Sequence, residues 1–279
     1  MFQVKPMTAD DFQFATALAN TMDWNMATED FQFMKSLEPE GCLVALQDSE
    51  RLGIATSISF SNVGWFGNLI VEQKYRNKGI GRLLVKHAVN YLLSKGVKTV
   101  GLYSYPHLTG FYGSLGFKLD EDFVVLKTEA LSNLVAETRF EEGSKEIQAI
   151  EKFDSQCFGG ERKMLLESII LQKSNLSYCK QENGALVGYV AATVYEKMAW
   201  VGPLLCKSGR ADIAVSLVKA ILNKLTGLSV YAVLPKKENF LIELFSGVGF
   251  MEDFFVSRMF LGRAVAKNCI YMAESLERG

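Results

Sequence analysis

The sequence has 279 residues, of which 49% are hydrophobic, and its formal net charge is −1. Such a length and apolar content are typical of one large globular domain or of two modest ones. The balanced charge excludes a strongly basic surface of the kind that binds nucleic acid or anionic membranes. We therefore expect neither a nucleic-acid partner nor a membrane partner.

We expect neither a targeting segment nor a metal site from this sequence. Residues 1–7 lack the apolar stretch of a signal peptide, and the longest apolar run, around 185–194, is too short to span a bilayer. The five cysteines show no C-x-x-C spacing, which favours a reducing compartment over a disulfide framework or a zinc site. Of two histidines, His87 is predicted to pack in the core. We expect a soluble, cytoplasmic protein without a metal.

The beginning of the chain alternates between strand and helix patterns. A helix is predicted after Thr8, which suits an N-cap because two aspartates follow in the first turn. The predicted elements, in order, are the strand Phe2–Lys5, the helix after Thr8, a helix with Phe31, Met34 and Leu37 on one face, and the strands Gly41–Leu46, Gly53–Phe60 and Gly64–Val71.

A basic, glycine-bearing loop follows the last of these strands. The strand ends in Leu69, Ile70 and Val71, and a helical apolar pattern begins after the loop. The first turn of a helix has unpaired N–H groups and a positive dipole end, so glycines there allow a phosphate to approach closely. The loop residues are Arg76, Asn77, Lys78, Gly79, Ile80, Gly81 and Arg82.

The spacing of the glycines in this loop limits the classes of phosphate-binding site that it can form. It lacks G-x-x-x-x-G-K-[ST] and G-x-G-x-x-G, which argues against a mononucleotide P-loop and against a Rossmann dinucleotide site. What remains is R-x-x-G-x-G between a strand and a helix. The alternative is a basic connection whose glycines serve only its geometry.

A second motif follows the next predicted strand, Thr99–Ser104. It reads Y-x-x-x-G-F and consists of Tyr112, Gly116 and Phe117. The strand Phe123–Lys127 is predicted to close the first domain. The order strand, R-x-x-G-x-G, helix, strand, Y-x-x-x-G-F resembles the GNAT superfamily of N-acetyltransferases.

The resemblance implies a fold and a set of site residues. The fold would be α/β of the α+β type, with a mixed, mostly antiparallel twisted sheet flanked by helices. Acetyl-CoA would bind at the residues from Leu69 to Val71 and from Arg76 to Arg82, and Tyr112 would donate a proton to the leaving thiolate. Tyr105 departs from the asparagine that many relatives carry. Trp24 and Asn25 would lie near the acceptor, although packing and helix capping explain them equally well.

The sequence also contains an internal repeat. One set of matching residues is separated by 135 positions and a later set by 133. The pairs are Gly53 with Gly188, Trp65 with Trp200, Gly67 with Gly202, Leu69 with Leu204, Leu84 with Leu217, Val85 with Val218, Lys86 with Lys219, Gly116 with Gly249 and Phe117 with Phe250. We predict two GNAT-like domains, at residues 1–127 and 147–279, joined by an ordered linker at 128–146.

The second copy has lost the features that would bind acetyl-CoA. Its loop is two residues shorter, with Asp212 in place of Gly79 and Ala214 in place of Gly81, so that a carboxylate would face the pyrophosphate position. Phe245 stands in place of Tyr112. We predict that this copy is structural or binds the acceptor.

The second half also resembles a specific C-terminal acetyltransferase-like domain found in tandem proteins. That resemblance rests on residues 154–162, 201–203, 238–239 and 257–259, and it implies that Asp154, Arg162 and Arg258 lie near the acceptor pocket. A structural set of ion pairs is the alternative.

The predicted function is direct transfer of an acetyl group from acetyl-CoA to a primary amine of a small molecule or peptide. Backbone N–H groups at the end of the Leu69–Val71 strand would stabilise the oxyanion. The base is open between Glu72, Asp23 and a chain of waters. Two alternatives remain, namely a non-catalytic acyl-CoA sensor and a protein-interaction scaffold.

Overall fold

The computed structural model of the chain describes residues 2–131, 140–265 and 269–279. Their contacts define two compact units. Unit 1 contains the described residues up to Leu102 together with Phe260–Arg263 and Arg278, and unit 2 contains the other described residues. No helix in these parts of the chain is long and apolar enough to cross a membrane.

Unit 1 follows the predicted order of strands and helices. Its elements are β1 (Phe2–Pro6), α1 (Ala9–Asn20), α2 (Thr28–Leu37), β2 (Cys42–Gln47), β3 (Glu50–Phe60), β4 (Val63–Val71), α3 (Ile80–Ser94) and most of β5 (Thr99–Ser104). Strands β1 to β4 pair antiparallel in sequence order, and β4 pairs parallel with β5. The predicted mixed, mostly antiparallel sheet is therefore confirmed for this unit.

Two helices of unit 1 show how the sequence specifies local structure. Thr8 is the N-cap of α1, and the Asp11 carboxylate accepts hydrogen bonds from the Thr8 amide (2.8 Å) and from Arg51 Nε (2.7 Å). In α3 the prediction for His87 is wrong, because this side chain is exposed. The 3.6-residue period brings Val85 to the buried face instead, together with Ile80, Leu84, Ala88 and Leu92.

Unit 2 contains the remaining elements. These are α4 (Thr109–Gly113), β6 (Lys118–Thr128), β7 (Glu141–Glu142), α5 (Ile147–Phe158), α6 (Lys163–Ile170), β8 (Leu176–Glu182), β9 (Ala185–Val194), β10 (Met198–Lys207), α7 (Ala211–Leu222), β11 (Ser229–Pro235), α8 (Asn239–Gly247), most of β12 (Met251–Leu261) and β13 (Cys269–Met272).

The sheet of unit 2 is also mixed. Strand β10 pairs antiparallel with β9 and parallel with β11, and β13 adds to β10 in antiparallel orientation. Helix α7 covers this sheet with an apolar face that includes Leu217, Val218 and Ile221. The predicted fold class is confirmed here as well.

The compact units do not coincide with the sequence repeat. Strand β6, which was predicted to close the first domain, pairs antiparallel with β11 within unit 2. The predicted linker begins at Thr128, which is the last residue of β6. It also contains β7 and a short 3-10 turn at Gly143–Glu146. Residues 132–139 of the linker lie outside the described residues. The boundaries at 127 and 147 follow the repeat and stay a prediction.

Candidate active site

A β-bulge in β4 separates the end of this strand from β5. Ile54 of β3 pairs with Ile70, whereas Thr56 pairs with Gly67, so the register shifts by one residue. Asn68 lies in this shift at φ 49°, and its Nδ2 donates to Thr56 Oγ1 at 3.2 Å. A bulge bends the strand that carries it.

The parallel pairing of β4 with β5 ends before the bulge. It joins Val63–Trp65 to Thr99–Gly101 and goes no further. Residues Leu69–Val71 therefore run on beyond the last paired residues of β5. We call the space between the two strands beyond Trp65 and Gly101 the first gap.

The loop after β4 presents the N-terminus of α3. A short 3-10 turn, Gln73–Tyr75, follows β4, and Gly79 is the N-cap of the helix at φ 85°. A Cβ at Gly79 would meet nothing within 4 Å, so the space in front of it is open. The first turn of α3 contains no acidic residue, and Leu83 donates to the Gly79 carbonyl at 3.0 Å. This geometry suits an anion.

Basic side chains surround the loop. Arg76 Nε donates to the Val71 carbonyl at 3.0 Å, and Arg76 Nη2 lies 3.8 Å from Met22 Sδ. Lys78 Nζ lies 5.0 Å from the centroid of the Tyr75 ring, and Lys74 Nζ lies 4.8 Å from the same centroid. The Arg76 guanidinium thus ties the loop to the end of β4 and to the link between α1 and α2.

The predicted acetyl-CoA residues differ in exposure. Ile70 and Ile80 are buried, so only their backbone groups are available to a ligand. Leu69, Val71 and Gly81 are half-buried, and the exposed residues are Arg76, Asn77, Lys78, Gly79 and Arg82. Their assignment to acetyl-CoA stays a prediction.

The link between α1 and α2 holds the two predicted acceptor residues. Trp24 is half-buried, and Asn25 is exposed at φ 50°. Asn20 fixes this link by donating to the Met26 carbonyl at 2.9 Å and accepting from the Met26 amide at 2.8 Å. Helix capping does not explain Asn25, because the N-cap of α2 is Ala27.

The two candidate bases belong to unit 1. Glu72 is half-buried, and its Oε2 lies 3.5 Å from Lys74 Nζ. Asp23 is exposed and has a positive φ of 57°. Each carboxylate belongs to one of the two segments that Arg76 joins.

Tyr112 belongs to α4 in unit 2, whereas the loop belongs to unit 1. Its ring makes edge contacts with Phe111 and Phe117, at centroid distances of 5.0 and 5.9 Å, and is only 6% exposed. Burial raises the pKa of Tyr112 above its usual value, so the phenol is protonated at neutral pH. Its catalytic role stays a prediction.

Ion pairs engage the charged side chains of the shortened loop in the second copy. Arg210 donates to both carboxylate oxygens of Glu182, at 2.6 and 3.0 Å, and to both oxygens of Asp212, at 3.0 Å each. The pKa values of Glu182 and Asp212 are lowered, in both cases chiefly by hydrogen bonds from Arg210. The Asp212 carboxylate is thus bound by the chain itself.

The aromatic pair of the first motif is repeated in the second copy without the phenol. Phe245 of α8 is fully buried and contacts Phe250 edge-on, with ring centroids 4.8 Å apart. This matches the packing of Tyr112 on Phe117, so the second copy keeps the apolar contact and lacks the phenol hydroxyl.

Asp154 pairs with Arg162, and Arg258 pairs with acidic residues of β6. Arg162 Nη2 and Nε donate to the Asp154 carboxylate at 2.6 and 3.1 Å, and both side chains are fully buried. Tyr189 also donates to Asp154, and Arg162 Nη1 donates to the Gly279 carbonyl at 2.6 Å. Arg258 pairs with Asp120 through Nε at 2.6 Å. This geometry favours the structural alternative.

Three residues near the first gap were missed by the sequence analysis. Met22 contacts Arg76, Tyr75 lies between two lysines, and Asn68 forms the bulge. Of these three features, only the bulge could have been predicted from the sequence. The repeat aligns Gly67 and Asn68 with Gly202 and Pro203, and proline inside a strand is typical of bulges. Among the described residues, no group of His, Cys, Asp and Glu could hold a metal ion.

Two family models match the chain. Residues 9–117 match the acetyltransferase (GNAT) family, and residues 150–271 match a further acetyltransferase (GNAT) domain. Together the two matches cover most of the sequence and both copies of the repeat. The chain belongs to the GNAT acetyltransferases and carries two GNAT domains in tandem.

Curated relatives match a limited part of the chain. Serotonin N-acetyltransferase 2, chloroplastic, of Oryza sativa is 30% identical over 89 residues, which are 29% of this chain and 44% of that protein. GCN5-related N-acetyltransferase 1, chloroplastic, of Arabidopsis thaliana is 32% identical over 63 residues, or 23% of this chain and 31% of the relative. The chain thus spans less than half the length of these relatives.

Solved structures share the whole fold. A Pyrococcus horikoshii protein named only provisionally as an acetyltransferase has a TM-score of 0.81 at 20% identity, covering 100% of this chain and 96% of its own. A tandem GNAT protein from the clavulanic acid biosynthesis pathway has a TM-score of 0.62 at 14% identity, covering 95% of this chain and 100% of its own. At these identities the likeness shows the fold.

Proposed function

We propose that this protein transfers an acetyl group from acetyl-CoA to a primary amine, and that only the first copy binds the donor. The observation that carries the proposal is the difference between the two loops. The first opens at Gly79 onto the N-terminus of α3 with Arg76 and Lys78 beside it. In the second, Arg210 and Asp212 bind each other.

The first loop and the first gap suit different parts of the donor. The amides of the first turn of α3 and the side chains of Lys78 and Arg82 suit the pyrophosphate. The backbone of Leu69–Val71, which extends beyond the pairing with β5, suits the amides of the pantetheine arm as an added strand would. N–H groups at the same strand end suit the thioester oxygen, which gains negative charge during attack.

The transfer requires a neutral amine and a proton for the leaving thiolate. The amine nitrogen forms a bond to the acetyl carbon, the C–S bond breaks, and the thiolate takes a proton from Tyr112, which water then reprotonates. The amine proton goes to Glu72, to Asp23 or to water. Burial raises the pKa of Tyr112 and keeps the phenol protonated at neutral pH, which is the state a proton donor needs before the reaction.

The acceptor class is proposed from a relative's name and from the position of Trp24. The rice relative is named a serotonin N-acetyltransferase, so arylalkylamines join amino acids, polyamines and aminoglycosides as candidate acceptors. The half-buried Trp24 suits an apolar or aromatic part of such an amine. The compartment stays a prediction, because the plant relatives carry the word chloroplastic in their names.

The test is an assay of thiol release from acetyl-CoA against a panel of these four amine classes. We expect turnover with at least one class, with stoichiometric formation of the N-acetyl product shown by mass spectrometry. An absence of product with every amine, together with tight binding of acetyl-CoA, would favour the acyl-CoA sensor. The burial of Tyr112 among aromatic rings is the observation that keeps this second candidate open.

A further inference from the structure

The second copy repeats the bulge that opens the first gap. Between Val201 and Leu204 the register of β10 against β9 shifts, at the position that the repeat aligns with the shift in β4. The parallel pairing of β10 with β11 then ends at Val201 and Ala232. We call the space between these strands beyond that pair the second gap.

Strand β13 fills the second gap. It pairs antiparallel with the part of β10 that runs on beyond the bulge, with Leu204 opposite Met272 and Lys207 opposite Cys269. The next residue, Ala273, donates its amide to the Val233 carbonyl of β11 at 2.9 Å. The segment Cys269–Ala273 is therefore bonded to both strands that border the gap.

The side chains of β13 complete the surroundings of the gap. Ile270 and Met272 are buried in the cluster that contains Leu217 and Val218 of α7. Tyr271 points to the other face of the sheet, where its ring lies 6.3 Å from that of Phe123. Both faces of the inserted strand are thus packed.

Gly202 provides the space that the segment needs. A Cβ on this residue would lie 2.0 Å from the Ala273 carbonyl oxygen and 3.2 Å from the Glu274 Cα, so a larger residue would collide with the backbone that leaves β13. The close approach indicates that β10 is shaped to accept a polypeptide strand here.

We propose that the second gap is a binding site for an extended polypeptide strand, which the chain occupies with its own segment Cys269–Ala273. Backbone hydrogen bonds to β10 and β11 hold the ligand, and the pockets for Ile270 and Met272 select apolar side chains at alternate positions. The site does not bind a thioester cofactor. The inference does not depend on acetyl transfer, because it rests on the pairing within unit 2.

The first experiment tests whether the segment is seated in solution. Lys207→Cys in the full chain places a thiol directly opposite Cys269, and such antiparallel pairs have Cα atoms about 4.5–5.5 Å apart, which a disulfide can span. Cys206 points to the opposite face and is buried. Lys219→Cys, on the exposed side of α7, is the matched control.

We expect mild oxidation to join position 207 to Cys269 within the chain, as mapped by peptide mass spectrometry, at least about tenfold faster than any disulfide of the control. Equal rates in the two variants would show that β13 is not seated on β10 and would overturn the proposal.

The second experiment tests what the gap binds. Tyr271→Pro removes a backbone donor from β13 and disfavours its pairing, whereas Tyr271→Phe keeps the backbone and the ring. A labelled peptide with the sequence of residues 269–275 is titrated into each full-length variant. If β13 is seated in about 99% of wild-type molecules, its release should increase the peptide's affinity about 100-fold. The Tyr271→Phe protein should match the wild type.

The same proteins are titrated with acetyl-CoA. We expect the molar ratio to be the same in the proline variant as in the wild type. Two results would overturn the assignment to a strand ligand. One is a folded proline variant that does not bind the peptide, and the other is a folded variant that binds an additional equivalent of acetyl-CoA instead. If the proline variant does not fold, the cross-linking rates decide the matter.

Discussion

The two copies share a bulged strand and differ in what lies beside it. In the first copy the pairing with the neighbouring strand ends at Trp65 and the strand end runs on to an open, basic loop. In the second copy β13 occupies the corresponding gap, and Arg210 of the loop is paired with Asp212. The comparison teaches that the second copy uses its own strand and its own charged side chains at the positions where, by our proposal, the first copy binds acetyl-CoA.

The largest difference that we expect concerns the phenol of Tyr112. Tyr112→Phe copies the aromatic pair of the second copy, Phe245 and Phe250, and keeps the packing of the ring. If Tyr112 is the general acid, turnover should fall by about 10² to 10⁴ while acetyl-CoA affinity changes little. Steady-state kinetics with calorimetric titration measures both.

The exposed Tyr195 supplies the control, since Tyr195→Phe makes the same chemical change far along the chain from the motif. A fully active Tyr112→Phe enzyme would assign Tyr112 to packing. It would also mean that the exchange of Tyr112 for Phe245 between the copies has no catalytic consequence.

The second prediction concerns the buried pair of the second copy. Arg162→Met would leave the Asp154 carboxylate buried without its bidentate partner and should reduce the free energy of unfolding by about 3–5 kcal/mol. Urea unfolding measures the loss. The double variant Asp154→Asn with Arg162→Met should lose less, because no charge remains buried. A stable single variant that has lost only activity would instead place this pair in the acceptor pocket.

The third prediction compares the arginines of the two loops. Arg76→Ala removes a charged donor near the proposed phosphate site and should weaken acetyl-CoA binding by about 10- to 100-fold, or roughly 1.5–3 kcal/mol. Arg210→Ala is the matched control, and its effect on acetyl-CoA affinity should be negligible. Isothermal titration also gives the stoichiometry, for which we expect one molecule per chain. Two equivalent sites would contradict the comparison.

The fourth prediction uses pH to test the ion pairs that Arg210 forms with Glu182 and Asp212. Arg210 holds the pKa values of Glu182 and Asp212 below their usual values of 4.5 and 3.8. The ion pairs therefore stabilise the folded state fully only at a pH above these usual pKa values, which apply to the unfolded chain. This stabilisation is lost as the pH falls through the lowered values of the folded state. The difference in urea midpoint between wild type and Arg210→Gln should therefore be present at pH 7 and shrink steadily below pH 4.5. A difference that grows in acid would show another role for Arg210.

The smallest expected effect is on cofactor binding by a repaired loop. Asp212→Gly restores the glycine that the first copy has at Gly79, but β13 still occupies the gap. We therefore expect the acetyl-CoA affinity and the stoichiometry to stay those of the wild type in calorimetry. A second tight acetyl-CoA site created by this one change would mean that the Asp212 carboxylate alone had prevented binding in the second copy.

The sequence by itself determined the elements and the repeat. Local patterns were sufficient for strands such as Thr99–Ser104, whose predicted bounds are those observed, and for the Thr8 cap. The spacing of two short motifs led to the GNAT family because both motifs depend on fixed turns at fixed distances. His87 was placed wrongly, since a helix period cannot tell which of two adjacent stripes meets the sheet.

Only the tertiary structure decided which segments lie side by side. The pairing of β6 with β11 and the insertion of β13 beside β10 join residues more than 60 positions apart, and no local pattern encodes such partners. The same holds for Arg210, whose bond to Glu182 crosses 28 positions. Strand patterns specify that a backbone will pair, whereas the partner depends on which edges the packed core leaves within reach.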